Sequence, residues 1–184
     1  SHAVAWMKPV EPPLGWLLSI PFLLIPSGLF TKIHDYHHAF TNDPDRDPDH
    51  WISGNTWAKA SLRSLTLTFN YAYLAATRFR KEPVIAKTHK STILYYLGSL
   101  TIIVGLVSAG YGLELLMVGV IPAFLASYVL GMLFDWIPHM PTRQQGRYQN
   151  TRSYLFPGLN YLTCGQSYHH IHHLYPRVSW YNYH

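Results

Sequence analysis

The chain has very little cysteine and very little charge. Cys164 is the single cysteine among 184 residues, so an intrachain disulfide and any cysteine-based metal site are both excluded. Charged residues make up only 12% of the sequence, about half the share of an ordinary globular domain. The formal charge of +5 is scattered among apolar segments and forms no continuous basic stripe, which argues against nucleic acid as a partner. An initiator Met, a signal peptide and a charged leader are all missing, so Ser1 and His2 read as the middle of something: an N-terminally truncated fragment with its upstream part absent.

What is abundant points to a membrane. Hydrophobic residues reach 48% and aromatic residues 15%, with 14 Tyr and 6 Trp. Such rings favour the membrane–water interface, where the ring is buried and its polar atom stays wet. Residues 92–109 and 113–134 are apolar runs free of Lys and Arg, long enough or nearly so to cross a hydrocarbon core of roughly 30 Å. Only Gly110, Tyr111 and Gly112 separate them, which predicts a tight antiparallel hairpin. Arg78, Arg80, Lys81, Lys87 and Lys90 precede the first span, and Arg143, Arg147 and Arg152 follow the second. By the positive-inside tendency both flanks are cytoplasmic. Residues 60–77 contain Arg63 and Asn70, and residues 14–30 contain Pro21 and Pro26, so both stretches are expected to lie at the interface. The expected fold is an all-α membrane protein: one transmembrane helical hairpin, interfacial helices and a cytoplasmic histidine-rich cap, in a single domain over residues 1–184.

Twelve histidines are the anomaly, and they fall in spaced groups. His34, His37 and His38 form H-x-x-H-H, and His169, His172 and His173 repeat it. On a helix, positions i, i+3 and i+4 share a face, so each triplet is expected to aim its imidazoles at a neighbouring point. Two facing triplets offer six nitrogen donors, enough for two metal ions. Surface histidines are the bland alternative, but two copies flanking a hairpin on one side argue against it. His139, just after the second span, is a further ligand candidate, against a helix-end histidine. Asp135, four residues earlier, is expected either to orient that ligand or to face water. In the acid–proline stretch 42–50, an extended rigid loop is expected. There Asp45 and Asp47 read as solvated, while Asp43, Asp49 and His50 stay open as supports for the ligands. His89, His170 and His184 have no compelling geometry.

All-imidazole ligation suits zinc, copper, iron or nickel. Neither triplet carries the Glu that zinc hydrolysis needs, and no histidine lies within 92–134 to hold a haem. Iron that activates O2 fits an apolar substrate, which offers C–H bonds and few hydrolysable ones. A zinc-dependent membrane hydrolase and a metal transporter are the readings from other classes.

His34-x-x-His37-His38, His139 and His169-x-x-His172-His173 resemble the second box, the intermediate histidine and the third box of the membrane fatty acid desaturase superfamily. Residues 41–51 and 165–183 are more similar to its β-carotene hydroxylase and ketolase branch. The resemblance implies two non-haem irons, O2 as co-substrate, a lipid substrate in the bilayer, and a ferredoxin or cytochrome as electron donor. The products it implies are hydroxylated or desaturated lipid, a fatty acyl desaturase being the alternative to a carotenoid hydroxylase. It also makes His2 the closing end of a first box, and makes Asn160 and Gln166 candidates to hydrogen-bond the ligands, with packing as their alternative. The basic residues Arg78, Arg80, Lys81, Arg143 and Arg147 are either an acidic donor's dock or ordinary positive-inside anchors.

Overall fold

The computed structural model describes residues 14–15, 25–53, 56–140, 144–155, 158–163 and 165–183. His2, Arg143, Cys164 and His184 lie outside the described residues. Helices α1 (Ser27–Phe40), α2 (Trp57–Leu65), α3 (Leu67–Ala76), α4 (His89–Ser108), α5 (Gly112–His139) and α6 (His169–Leu174) carry the architecture. The described residues contain no strand.

The hairpin forms as expected. Helices α4 and α5 are each long and apolar enough to cross a membrane, and in the most apolar window of α4 only 11% of residues are buried. Ile93, Leu94, Leu97, Leu100, Val104 and Val107 all point outwards from it. So large an apolar exterior is stable only in lipid, and this is an all-α integral membrane protein. At the turn Gly110 adopts φ +91°, a conformation that costs a residue with a side chain roughly 1–2 kcal/mol.

Helix α5 is not regular. It widens into π-helical turns over Leu115–Val120 and Gly131–Trp136, and each runs up to a proline, Pro122 or Pro138. A proline inside a helix lacks the N–H and crowds the preceding turn, and a wider turn absorbs both defects. Within the second widening Gly131 lets α2 approach closely. A Cβ there would lie 2.8 Å from the Ser64 side chain and 3.1 Å from Ile52 Cδ1. Ser127 Oγ donates to the Ser64 carbonyl (2.9 Å) one turn away. Small residues and hydroxyl bonds are how helices pack where lipid removes the hydrophobic drive.

The stretch 60–77 is two helices, α2 and α3, broken at Thr66, and neither reaches spanning length. The core lies between α1 and α3. Leu29 and Ile33 recur one turn apart on α1 and pack with Leu67, Tyr71, Leu74 and Ala75 of α3, closed by Phe79 and Ile85. Residues 42–50 differ from expectation. They do not run extended but fold into consecutive tight turns, ending in a 3-10 helix over Pro48–Trp51, because Asp43 and Asp47 cap backbone N–H groups.

Gly131→Ala is expected to destabilise the protein by about 1–3 kcal/mol through overpacking against Ser64. Gly105→Ala, with open space around it, is expected to leave stability unchanged or slightly raised. Thermal unfolding in detergent checks the pair.

Candidate metal centre

Three elements bring seven imidazoles together in a largely buried cluster: α1, the last turn of α5, and α6. Both triplets are helical, but each does not converge on a single point. His34 and His38, at i and i+4 on α1, meet His172 of α6. His169 and His173, at i and i+4 on α6, meet His37 of α1 and His139 of α5. The i+3 member of each triplet crosses to the opposite group, because its direction differs from that of the i, i+4 pair by a large fraction of a turn.

In the first group the Nε2 atoms form a triangle. His34 to His172 measures 3.1 Å, His34 to His38 3.0 Å and His38 to His172 3.0 Å. A ring nitrogen is either an N–H or a lone pair. With three nitrogens and two states, at least one contact joins two like atoms, so hydrogen bonding cannot satisfy the triangle. A cation at its centre can. In the second group His139 and His169 Nε2 are 3.1 Å apart, His169 and His173 3.1 Å, and His37 and His173 3.3 Å. All four ligand atoms fall within 4.8 Å of one another.

Four of the outward-facing nitrogens are held by side-chain oxygens. The Asp47 carboxylate is fixed by backbone N–H groups of Asn42 (2.7 Å) and Asp49 (2.8 Å), and accepts from His37 Nδ1 at 2.8 Å. Asp49 Oδ2 lies 3.2 Å from the same nitrogen, and its Oδ1 accepts from the Tyr71 hydroxyl. Thr41 Oγ1 gives its hydrogen to the His37 carbonyl (2.8 Å) and therefore accepts from His173 Nδ1 at 3.3 Å. Gln166 Oε1 accepts from His169 Nδ1 (3.3 Å), and the Tyr183 hydroxyl bonds His172 Nδ1 (3.1 Å). A neutral ring that donates Nδ1–H to a side-chain oxygen leaves Nε2 bare toward the cluster, as Thr41 arranges for His173 and Gln166 for His169.

The electrostatics agree. Burial and then the neighbouring imidazoles push His34, His169 and His173 well below the ordinary histidine value, keeping them neutral. His37 differs: burial opposes its charge, but Asp47 and Asp49 outweigh burial and raise it to about 10. Asp47 is lowered because the His37 charge overrides its burial, whereas burial lifts Asp49 to about 6. A cation bound to Nε2 would take over the role of that proton, with Asp47 still holding Nδ1–H.

The anticipated histidines are thus all gathered, except His2, which is outside the described residues. The supporting residues divide. Gln166 reaches His169, but Asn160 accepts from Ser167 Oγ (3.1 Å), one step removed from the cluster. Asp43 Oδ1 caps the Asp45 and Arg46 N–H groups (2.9 and 3.1 Å), while the residue also lines a cleft with His38 and His173. Asp135 lies close to the acid cluster around His37, and its buried Oδ2 has no hydrogen-bond partner among the described residues. Asp47, expected to be solvated, is buried on His37, and Tyr183 and Thr41 were not anticipated. Asp45 is exposed and pairs with Arg78, and His170 meets Thr151, as their lack of site geometry suggested. A cleft of about 530 Å³ opens on His38 and His173, with Asp43, Arg147 and Asn150 on its walls.

Replacing Asp47 by Ala is expected to weaken metal binding about 10–100-fold, since it frees the His37 ring. Asp45→Ala should leave affinity unchanged. Competition against a chromophoric chelator measures both.

No curated protein and no solved structure matches the chain. A family model described as fatty acid desaturase matches residues 8–184, nearly the whole sequence. The chain therefore belongs to the fatty acid desaturase family, oxidoreductases that act on lipids in the membrane.

Proposed function

We propose that this chain is an O2-dependent oxygenase that holds two non-haem irons and oxidises a C–H bond of a long lipid, with a carotenoid such as β-carotene as substrate. The observation that carries the reading is the Nε2 triangle of His34, His38 and His172, with sides of 3.0–3.1 Å. Metal–nitrogen bonds of about 2.1 Å at right angles put neighbouring nitrogens about 3.0 Å apart, whereas a tetrahedral site spreads them to about 3.4 Å. The spacing favours a six-coordinate ion such as iron over tetrahedral zinc. His34, His38 and His172 hold one ion, and His37, His139, His169 and His173 hold the other; the sequence resemblance adds His2 as a further ligand.

Iron bound there supplies O2 activation and removal of hydrogen from the substrate. The protein's own part is to bury the seven rings and keep them aimed. Asp47, Thr41, Gln166 and Tyr183 anchor the outer ring nitrogens. Asp47 and Asp49 add negative charge on the His37 side, which favours a higher positive charge at the four-histidine position. The hairpin sets the cluster at the membrane boundary, on the cytoplasmic side by the distribution of Lys and Arg. The cleft beside His38 and His173 offers a ferredoxin or cytochrome donor an approach from water, with Arg147 on its wall. Support for a carotenoid comes from residues 41–51 and 165–183. These are the stretches similar to that branch, and they contribute Thr41, Asp47, Asp49 and Tyr183 to the ring supports. The whole described assembly behaves as one desaturase-like domain.

The full-length protein, expressed in β-carotene-producing bacterial cells, is expected to carry about two irons per chain and to form a hydroxylated carotenoid. His172→Ala should lose the product and part of the iron. New double bonds in acyl chains with unchanged carotenoid would keep the site and overturn the substrate. Zinc in place of iron would overturn the oxygenase reading.

A further inference from the structure

Beyond the metal centre, the connection between α5 and α6 carries an apolar surface that the chemistry does not use. Leu155, Tyr161 and Leu162 are 74%, 86% and 84% exposed, among the most exposed large hydrophobic residues described. From Ser153 to Tyr168 the sequence has no Asp, Glu, Lys or Arg. Scattered apolar residues on a surface are ordinary, but an uncharged run with several protruding together marks a contact.

The backbone says where the run sits. Arg152 N donates to the Pro138 carbonyl (3.0 Å), and the Tyr154 hydroxyl donates to the Ile137 carbonyl. Both bonds tie residues 152–154 to the last turn of α5, at the end of the membrane span. Tyr154 N then donates to the Ser167 carbonyl at 2.7 Å, closing the base of the loop there. A tyrosine among leucines at such a level suits the interface, where a ring is buried and its hydroxyl stays wet.

We propose that Leu155, Tyr161 and Leu162 form a foot inserted in the lipid surface beside the metal centre. The foot is tied to the cluster. Gly165 N donates to the Asn160 carbonyl (2.8 Å), Ser167 Oγ to Asn160 Oδ1 (3.1 Å), and His169 Nδ1 to Gln166 Oε1 (3.3 Å). Lipid held at the foot therefore lies next to the residues that position His169, which makes this side the lateral way in for an apolar molecule. The inference concerns the protein's surface and is independent of which metal is bound.

Spin labels test it. In the full chain with Cys164→Ser, Leu155→Cys and Leu162→Cys are labelled separately in phosphatidylcholine nanodiscs, with Val104→Cys as a span control and Asp45→Cys as a water control. Collision with O2 and with a water-soluble nickel chelate is read by power saturation. The expected result at both positions is high O2 and low nickel accessibility, as at Val104. Nickel accessibility equal to that at Asp45 would overturn the proposal by placing the foot in water. Low accessibility to both reagents would overturn it too, by placing the foot against protein, a second copy included.

Discussion

Seven imidazoles aimed at two small volumes are the constraint on which the rest of this structure depends. Hydrogen bonds cannot satisfy the three-histidine triangle on counting alone, and several protonated rings at about 3 Å would repel strongly at low dielectric. The neighbouring features serve to direct the rings and, except at His37, to hold them neutral. Burial suppresses their charge, and side-chain oxygens take up the outer N–H groups so that rotation of a ring would strand a buried donor. The helices supply the spacing, and the exchange of the i+3 histidine between groups binds α1 to α6 through both volumes at once. The two groups therefore form or fail together.

The acid cluster around His37 shows the same constraint from the other side. Asp47, Asp49 and Asp135 crowd a single imidazole, an arrangement that is costly unless positive charge is present. In the four-histidine group that charge is a proton on His37 or a cation on its Nε2. In the three-histidine group the outer nitrogen of His172 meets the neutral Tyr183 hydroxyl, where His37 meets the Asp47 carboxylate. The two positions are thus electrostatically unlike although both are built from imidazole. Placing this polar assembly at the end of α5 puts it where water on one side and lipid on the other are both within reach.

Much of the fold was legible in the sequence because its signals are local. Two long apolar runs free of Lys and Arg, divided by Gly110 and Gly112, leave little choice but a hairpin. The H-x-x-H-H spacing announces helices that gather imidazoles, and the position of His139 after the span brings it to the same cluster. The division into three and four was not legible, since it depends on the crossing of α1 over α6 and not on spacing within either. Asp47 looks like its neighbour Asp45 in a run of alternating acid and proline, yet one is buried on His37 and the other meets Arg78 at the surface. Only the turn folded around Asn42, with φ +65°, separates their fates. Tyr183 is likewise one of fourteen tyrosines, and a tertiary return of the chain selects it.

The central claim is that the histidines hold two ions in a three-plus-four division. Anomalous diffraction at the iron edge from crystals of the full-length protein tests it most directly. Two peaks are expected per chain, one within about 2.2 Å of Nε2 of His34, His38 and His172 and the other equally near Nε2 of His37, His139, His169 and His173. A single peak, or an ion seated between His37 Nδ1 and the carboxylates of Asp47 and Asp49, would contradict the account.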